Sequence, residues 1–154
     1  MARELVQALK YRGMLRLVPF LGGEMARAAA AAVMRLPIDA VTAVPLHPTR
    51  LRERSFNQAE VLARHLAREL GLPCRLDLLR RRLPTRAQPG LSRQERSRNV
   101  REAFCAETGA SFPPPAHLLL VDDVLTTGAT AEACAQALKA AGVGRVTALT
   151  LARG

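Results

Sequence analysis

Apolar residues in this chain follow two periods, one of three to four residues and one of short unbroken runs. The clearest stripe is Ala59, Leu62, Ala63, Leu66, Ala67 and Leu70, which share one face of a helix. Asn57 and Glu60 precede it with the spacing of a capping box, and Gly71 and Pro73 supply the stop. Two earlier helical patterns cover residues 4–10 and 24–36, the second halted by Pro37. An alanine-rich one covers 131–141 and ends at Gly142. Apolar runs at 40–45, 74–79, 100–106, 118–121 and 146–151 read as short strands, those at 40–45 and 118–121 as buried ones.

The segments between them read as loops. Residues 46–56 connect a strand to the long helix. The stretch from 80 to 99 holds Pro84, Pro89 and Gly90, lacks a sustained apolar period, and reads as a mobile loop with a short helix around 92–98. Residues 109–116, with three successive prolines, read as a linker. Strands alternating with helices predict an α/β fold, a mostly parallel sheet with helices on both faces. In such sheets ligands sit beyond the carboxyl ends of the strands, where the loops at 45–54 and 122–130 would meet. With 154 residues and no internal repeat, a single domain over 1–154 is expected, divided into an N-terminal helical region at 1–36 and a flexible arginine-rich loop at 80–99.

Charge sharpens this picture. The net charge of +10 is concentrated: residues 80–101 carry eight arginines and one acid, Glu95, while 47–54 carry three arginines and Glu53. Most of the basic residues are arginine, whose planar fork grips phosphate oxygens in pairs. A polyanionic partner follows, either a diphosphate or a nucleic acid. Cys74, Cys105 and Cys134 stand far apart, which argues against a disulfide framework or a zinc site and for three small packed residues. The alanine run from 28 to 34 is bounded by arginines and is too short to span a bilayer, and the apolar stretch at 14–23 is broken by Arg16. No membrane association and a cytoplasmic location are expected.

The candidate chemistry lies in Leu118-Leu119-Leu120-Val121-Asp122-Asp123-Val124-Leu125-Thr126-Thr127-Gly128-Ala129-Thr130. A buried strand ends on two carboxylates, and a hydroxyl- and glycine-rich loop leads into a helix. The start of a helix offers unpaired N–H groups and a partial positive charge, which suits a phosphate. Adjacent acids suit sugar hydroxyls or a divalent cation. Neither a Gly-Lys-Ser/Thr phosphate loop nor a GxGxxG turn is present, so nucleotide hydrolysis and dinucleotide binding lose support.

This stretch resembles the phosphoribosyl-diphosphate (PRPP) motif of type I phosphoribosyltransferases. Arg54-Ser55-Phe56-Asn57-Gln58 is similar to the Arg-Gly-Phe-Asn-Gln block of ComF-type, competence-associated phosphoribosyltransferase-like proteins, with Ser55 in place of glycine. Arg82, Thr85, Gln88, Leu91, Arg96 and Asn99 match that family's arginine-rich loop. Such proteins often carry a cysteine-rich zinc-binding segment before this domain, and these 154 residues contain nothing like it.

The resemblance implies pentosyl transfer, in which a nucleophile displaces diphosphate from C1 of PRPP. Asp122 and Asp123 would bind ribose hydroxyls directly or through Mg²⁺, making them the candidate catalytic and metal residues. Thr126, Thr127, Gly128, Ala129 and Thr130 would wrap the 5′-phosphate. Pro45, Leu46, His47, Arg50 and Arg54 would receive the diphosphate. Arg82 and Arg96 would act from a loop that closes over the reacting centre. Tyr11 and Phe20, in the region where these enzymes build a variable hood, are the candidate stacking residues for an acceptor that the sequence does not name. The alternative is a non-catalytic PRPP-sensing or single-stranded-nucleic-acid-binding protein of a DNA-uptake machinery. The scarcity of aromatics counts against single-strand stacking. A homodimer is the remaining partner considered.

Overall fold

The computed structural model describes residues 15–33, 35–82, 99–107 and 116–153. After a 3₁₀ turn at Leu15–Leu17 the elements run α1 (Val18–Val33), β1 (Ala40–Ala43), α2 (Pro48–Arg54), α3 (Gln58–Leu70), β2 (Leu79–Arg81), β3 (Phe104–Ala106), β4 (His117–Leu125), α4 (Ala129–Ala140) and β5 (Arg145–Arg153). The predicted helix at 4–10, most of the arginine-rich loop with Arg96, and most of the linker at 109–116 lie outside the described residues.

Strands β1, β4 and β5 form a parallel sheet in that order, with β4 central. Alternate side chains of β4 enter two cores. Leu119 and Val121 pack with α1 and α3, and Leu118 and Leu120 pack with α4 and the β2–β3 ribbon. Helices therefore cover both faces, as the strand–helix alternation predicts. Strands β2 and β3 pair antiparallel as a separate ribbon, so the parallel rule does not extend to them. Helices α1 and α3 meet closely at Gly22, where a Cβ would stand 2.3 Å from His65 Cδ2.

Several expectations shift. Helix α1 begins at Val18 rather than residue 24, because Val18, Leu21 and Met25 continue its buried face. Its last residue is Val33, short of 36. The loop at 46–56 contains α2, for which the sequence holds a full set of signals: His47 as N-cap, Pro48 at the first turn and Ser55 as left-handed C-cap. The run at 74–79 is mostly not strand: Cys74 makes one parallel bridge to Val41, and the strand proper begins at Leu79. Residues 99–102 are helical, so only Phe104–Ala106 of the strand expected at 100–106 is extended.

The most consequential shift concerns β4. It does not stop at the acids but carries on to Leu125, because β5 pairs with it as far as Leu125 opposite Arg153. Backbone pairing, rather than side-chain polarity, sets the strand end. At the far side of the turn α4 begins at Ala129 rather than 131, so Ala129 and Thr130 belong to its first turn.

Candidate functional site

The site sits at the carboxyl ends of β1 and β4. These ends are locked together: Val44 N–H, just past β1, donates to the carbonyl of Val121 at 2.9 Å. The next residue on β4 is Asp122. The loop after β1 thus starts beside the acidic pair, as expected for a ligand edge in a parallel sheet.

Adjacent positions on a strand face opposite ways. Asp122 follows Leu118 and Leu120 toward α4 and the ribbon, whereas Asp123 follows Leu119 and Val121 toward α3. Asp123 is buried and Asp122 half-buried. An Asp122 carboxylate oxygen accepts the N–H of Asp123 at 2.8 Å. Among the described residues no cluster of three or more His, Cys, Asp or Glu could hold a metal.

The loop after β4 is short. Thr126 and Thr127 are exposed, and Gly128 caps α4 at φ +81°. A side chain is strained at that φ, although a Cβ there would meet only Leu125 at an ordinary 3.8 Å. The N-cap residue, Gly128, has no side chain with which to cap the helix. Thr127 Oγ1 accepts the Ala129 N–H at a long 3.4 Å. Among the described residues the start of α4 therefore has only this long bond to Ala129 N–H from a side chain, and its first turn faces the loop where an anion would lie.

The loop after β1 is built differently. His47 Nδ1 accepts the N–H of Thr49 at 3.3 Å, so a neutral His47 ring carries its proton on Nε2 as a donor. Ser55 takes φ +65°, and its N–H donates to Leu51 at 2.8 Å. The glycine-type backbone is retained by serine, at a cost in strain. Asn57 caps α3, its side-chain oxygen accepting the Ala59 N–H at 3.0 Å. The reciprocal half of a capping box does not form. Instead the Asn57 amide donates to the carbonyl of Val44 at 3.0 Å and to Glu60 at 3.2 Å.

Of the arginines on and beside β2, Arg82 is the one expected at the site from the sequence, and Arg81 is the one turned toward the protein. Arg82 is exposed, and its backbone N–H pairs with Ala103. Arg81 is half-buried, with its guanidinium carbon 5.2 Å from the Phe104 ring centre. Burial pushes its pKa down, with Arg50 adding repulsion while Cys134 and Asp122 oppose the shift. Cys134, buried under the same corner, has its own pKa raised, first by burial and then by Asp122. It is therefore a neutral thiol near pH 7, which leaves Asp122 and Arg50 as charges that act on Arg81 among the described residues. The register of Arg81 opposite Phe104, an arginine directed inward from a ribbon, had no signal in a run of three arginines. Phe104 is core, as its apolar context suggests, while Phe20 is 59% exposed.

A family model described as "Phosphoribosyl transferase domain" matches residues 57–154. Competence protein F of Haemophilus influenzae is 35% identical over 120 residues, covering 78% of this chain and 52% of that protein. DNA utilization protein YhgH of Salmonella typhimurium is 36% identical over 120 residues, covering 78% and 51%. The chain thus spans about half the length of these curated relatives. Among solved structures, an adenine phosphoribosyltransferase superposes with a TM-score of 0.57 at 14% identity, over 95% of this chain and 73% of that one, a likeness of fold. The similarity to competence proteins agrees with the three sequence blocks, and the fold is the one those blocks imply.

Proposed function

The chain belongs to the phosphoribosyl transferase domain family, and on that footing we propose that it binds PRPP and transfers its phosphoribosyl group to an acceptor. The observation behind this reading is the joint at Val44 and Val121, which sets a loop rich in donors and arginine beside an acid pair and a helix that starts on a glycine. Gly128, Ala129 and Thr130, with the hydroxyls of Thr126 and Thr127, receive the 5′-phosphate. Asp122 and Asp123 hold the ribose hydroxyls, Asp122 being the more exposed of the two. Pro45, Leu46, His47, Arg50 and Arg54 face the diphosphate, and Arg81 joins them from the ribbon.

In the reaction the bond from C1 to the diphosphate oxygen breaks, and the diphosphate leaves with the electron pair. A new bond forms from C1 to the acceptor's nucleophilic atom. Arginine charge and the His47 Nε2 donor stabilise the charge that develops on the leaving group. The acid pair fixes the ribose so that C1 lies in line between acceptor and diphosphate. Asp122, with Asp123 beside it, would hold Mg²⁺ shared with substrate oxygens and water, since that hard ion prefers carboxylate and phosphate oxygens. Bound there, Mg²⁺ would neutralise part of the diphosphate charge.

The second reading, single-stranded DNA binding in DNA uptake, draws on the net charge of +10 and on the names of the relatives. One assay separates the two: diphosphate release from PRPP, screened against candidate acceptors with and without Mg²⁺. Acceptor-dependent release supports the transferase. Salt-sensitive DNA binding that PRPP does not displace, with no release under any condition, would favour the second reading.

A further inference from the structure

We infer that Asn57 is a positioning residue that sets the diphosphate loop against the acidic strand; this rests on the proposed PRPP site. The side chain is buried, with 3% exposure, and every group of its amide is engaged. Its oxygen caps α3 through Ala59, and its nitrogen spans Val44 and Glu60. The bond to the Val44 carbonyl reaches back 13 residues and closes the loop at 45–56 into a ring. Within that ring lie His47, Arg50 and Arg54.

The Val44 residue is held from both sides. Its N–H goes to Val121, immediately before Asp122, and its carbonyl goes to Asn57. A carbonyl at the end of a strand would otherwise turn to water and let the loop leave the sheet at another angle. Glu60 accepts the second amide hydrogen and so fixes which way the Asn57 amide points. Cap, loop closure and strand end become one connected network. The acids and the loop keep their separation through two hydrogen bonds and the Val44 residue between them.

A cap alone needs only an acceptor, and serine or aspartate would serve. Closing the loop needs a donor, which asparagine adds. Asn57→Asp keeps the cap but places a carboxylate against the Val44 carbonyl and Glu60. Asn57→Ser keeps the cap and lacks the reach. Both remove the positioning bond while leaving the helix start intact.

The test titrates inorganic diphosphate and ribose 5-phosphate separately into wild type, Asn57→Asp, Asn57→Ser and Glu60→Gln. Diphosphate reports the loop after β1, whereas ribose 5-phosphate reports the acids and the loop after β4. In both Asn57 variants diphosphate affinity should fall on the order of tenfold, with ribose 5-phosphate affinity within about twofold of wild type. Glu60→Gln keeps an acceptor for the amide and should bind both like wild type. Equal weakening of both ligands, no weakening of either, or unfolding of both Asn57 variants would overturn the positioning role. Wild type that binds neither ligand would instead remove the PRPP site itself.

Discussion

The two loops of the proposed site are built from different materials. The loop after β4 is three residues long and relies mainly on backbone: a glycine at φ +81° as N-cap, with one long bond from Thr127 Oγ1 at the helix start. The loop after β1 is longer, contains a helix, and relies on side chains: His47 as cap, Ser55 in a left-handed turn, Asn57 as closure. A backbone-built loop presents N–H groups whatever its neighbouring side chains are, provided its glycine stays. A side-chain-built loop depends on each polar contact, and its conformation can be tuned residue by residue.

The sharpest way to break this contrast is Gly128→Val. A β-branched residue at that φ costs about 1–2 kcal/mol or forces the turn to another shape. Ribose 5-phosphate affinity should fall by about a hundredfold in calorimetric titration, because the misplaced amides no longer converge. Near-normal affinity would mean that hydroxyls rather than backbone hold the phosphate. Next in size is Arg81→Met, which removes a half-buried charge from the other half of the site. Diphosphate affinity should drop about tenfold, and Arg82→Met should cost clearly less because that side chain is exposed and screened. The reverse order would return the role to Arg82.

How much of this was legible in the sequence depends on the kind of interaction. The stripe from Ala59 to Leu70, its cap at Asn57 and its stop at Gly71 are local patterns, and the helix observed is Gln58–Leu70. The order of strand, acid pair, loop and helix was equally plain. The end of β4 was not, because it depends on pairing with β5, whose register the apolar pattern does not encode. Helix α2 has its cap, proline and left-handed stop in the sequence, but an exposed seven-residue helix has no apolar stripe to reveal it. Arg81 could not be separated from Arg80 and Arg82 without the ribbon register. The buried Gln58, at 1% exposure, marks part of the Phe-Asn-Gln block as interior rather than ligand-facing.

Two smaller effects sharpen the comparison further. Cys134 lies beneath the corner shared by Asp122 and Arg81, and its raised pKa leaves less thiolate than a free cysteine has at the same pH. Alkylation at pH 8 should be far slower for Cys134 in the folded protein than in denaturant, as mass spectrometry of the labelled peptide would record. Rapid labelling would mean that this corner opens. The smallest effect is expected for Ser55→Gly, which relieves the left-handed strain of the loop after β1. Chemical denaturation should show a gain of up to about 1 kcal/mol, reduced by the greater freedom of glycine in the unfolded chain. A loss would mean that the serine side chain contributes more than its backbone strain costs.

If the acid pair and both loops make one PRPP site, removing the two carboxylates should abolish binding. Calorimetric titration of PRPP with Mg²⁺ into wild type and into the Asp122→Asn, Asp123→Asn double variant measures this. Wild type should give a clear binding isotherm and the double variant none, with circular dichroism spectra unchanged because each amide keeps the shape of the carboxylate it replaces. Equal affinity in the two proteins would contradict the single PRPP site.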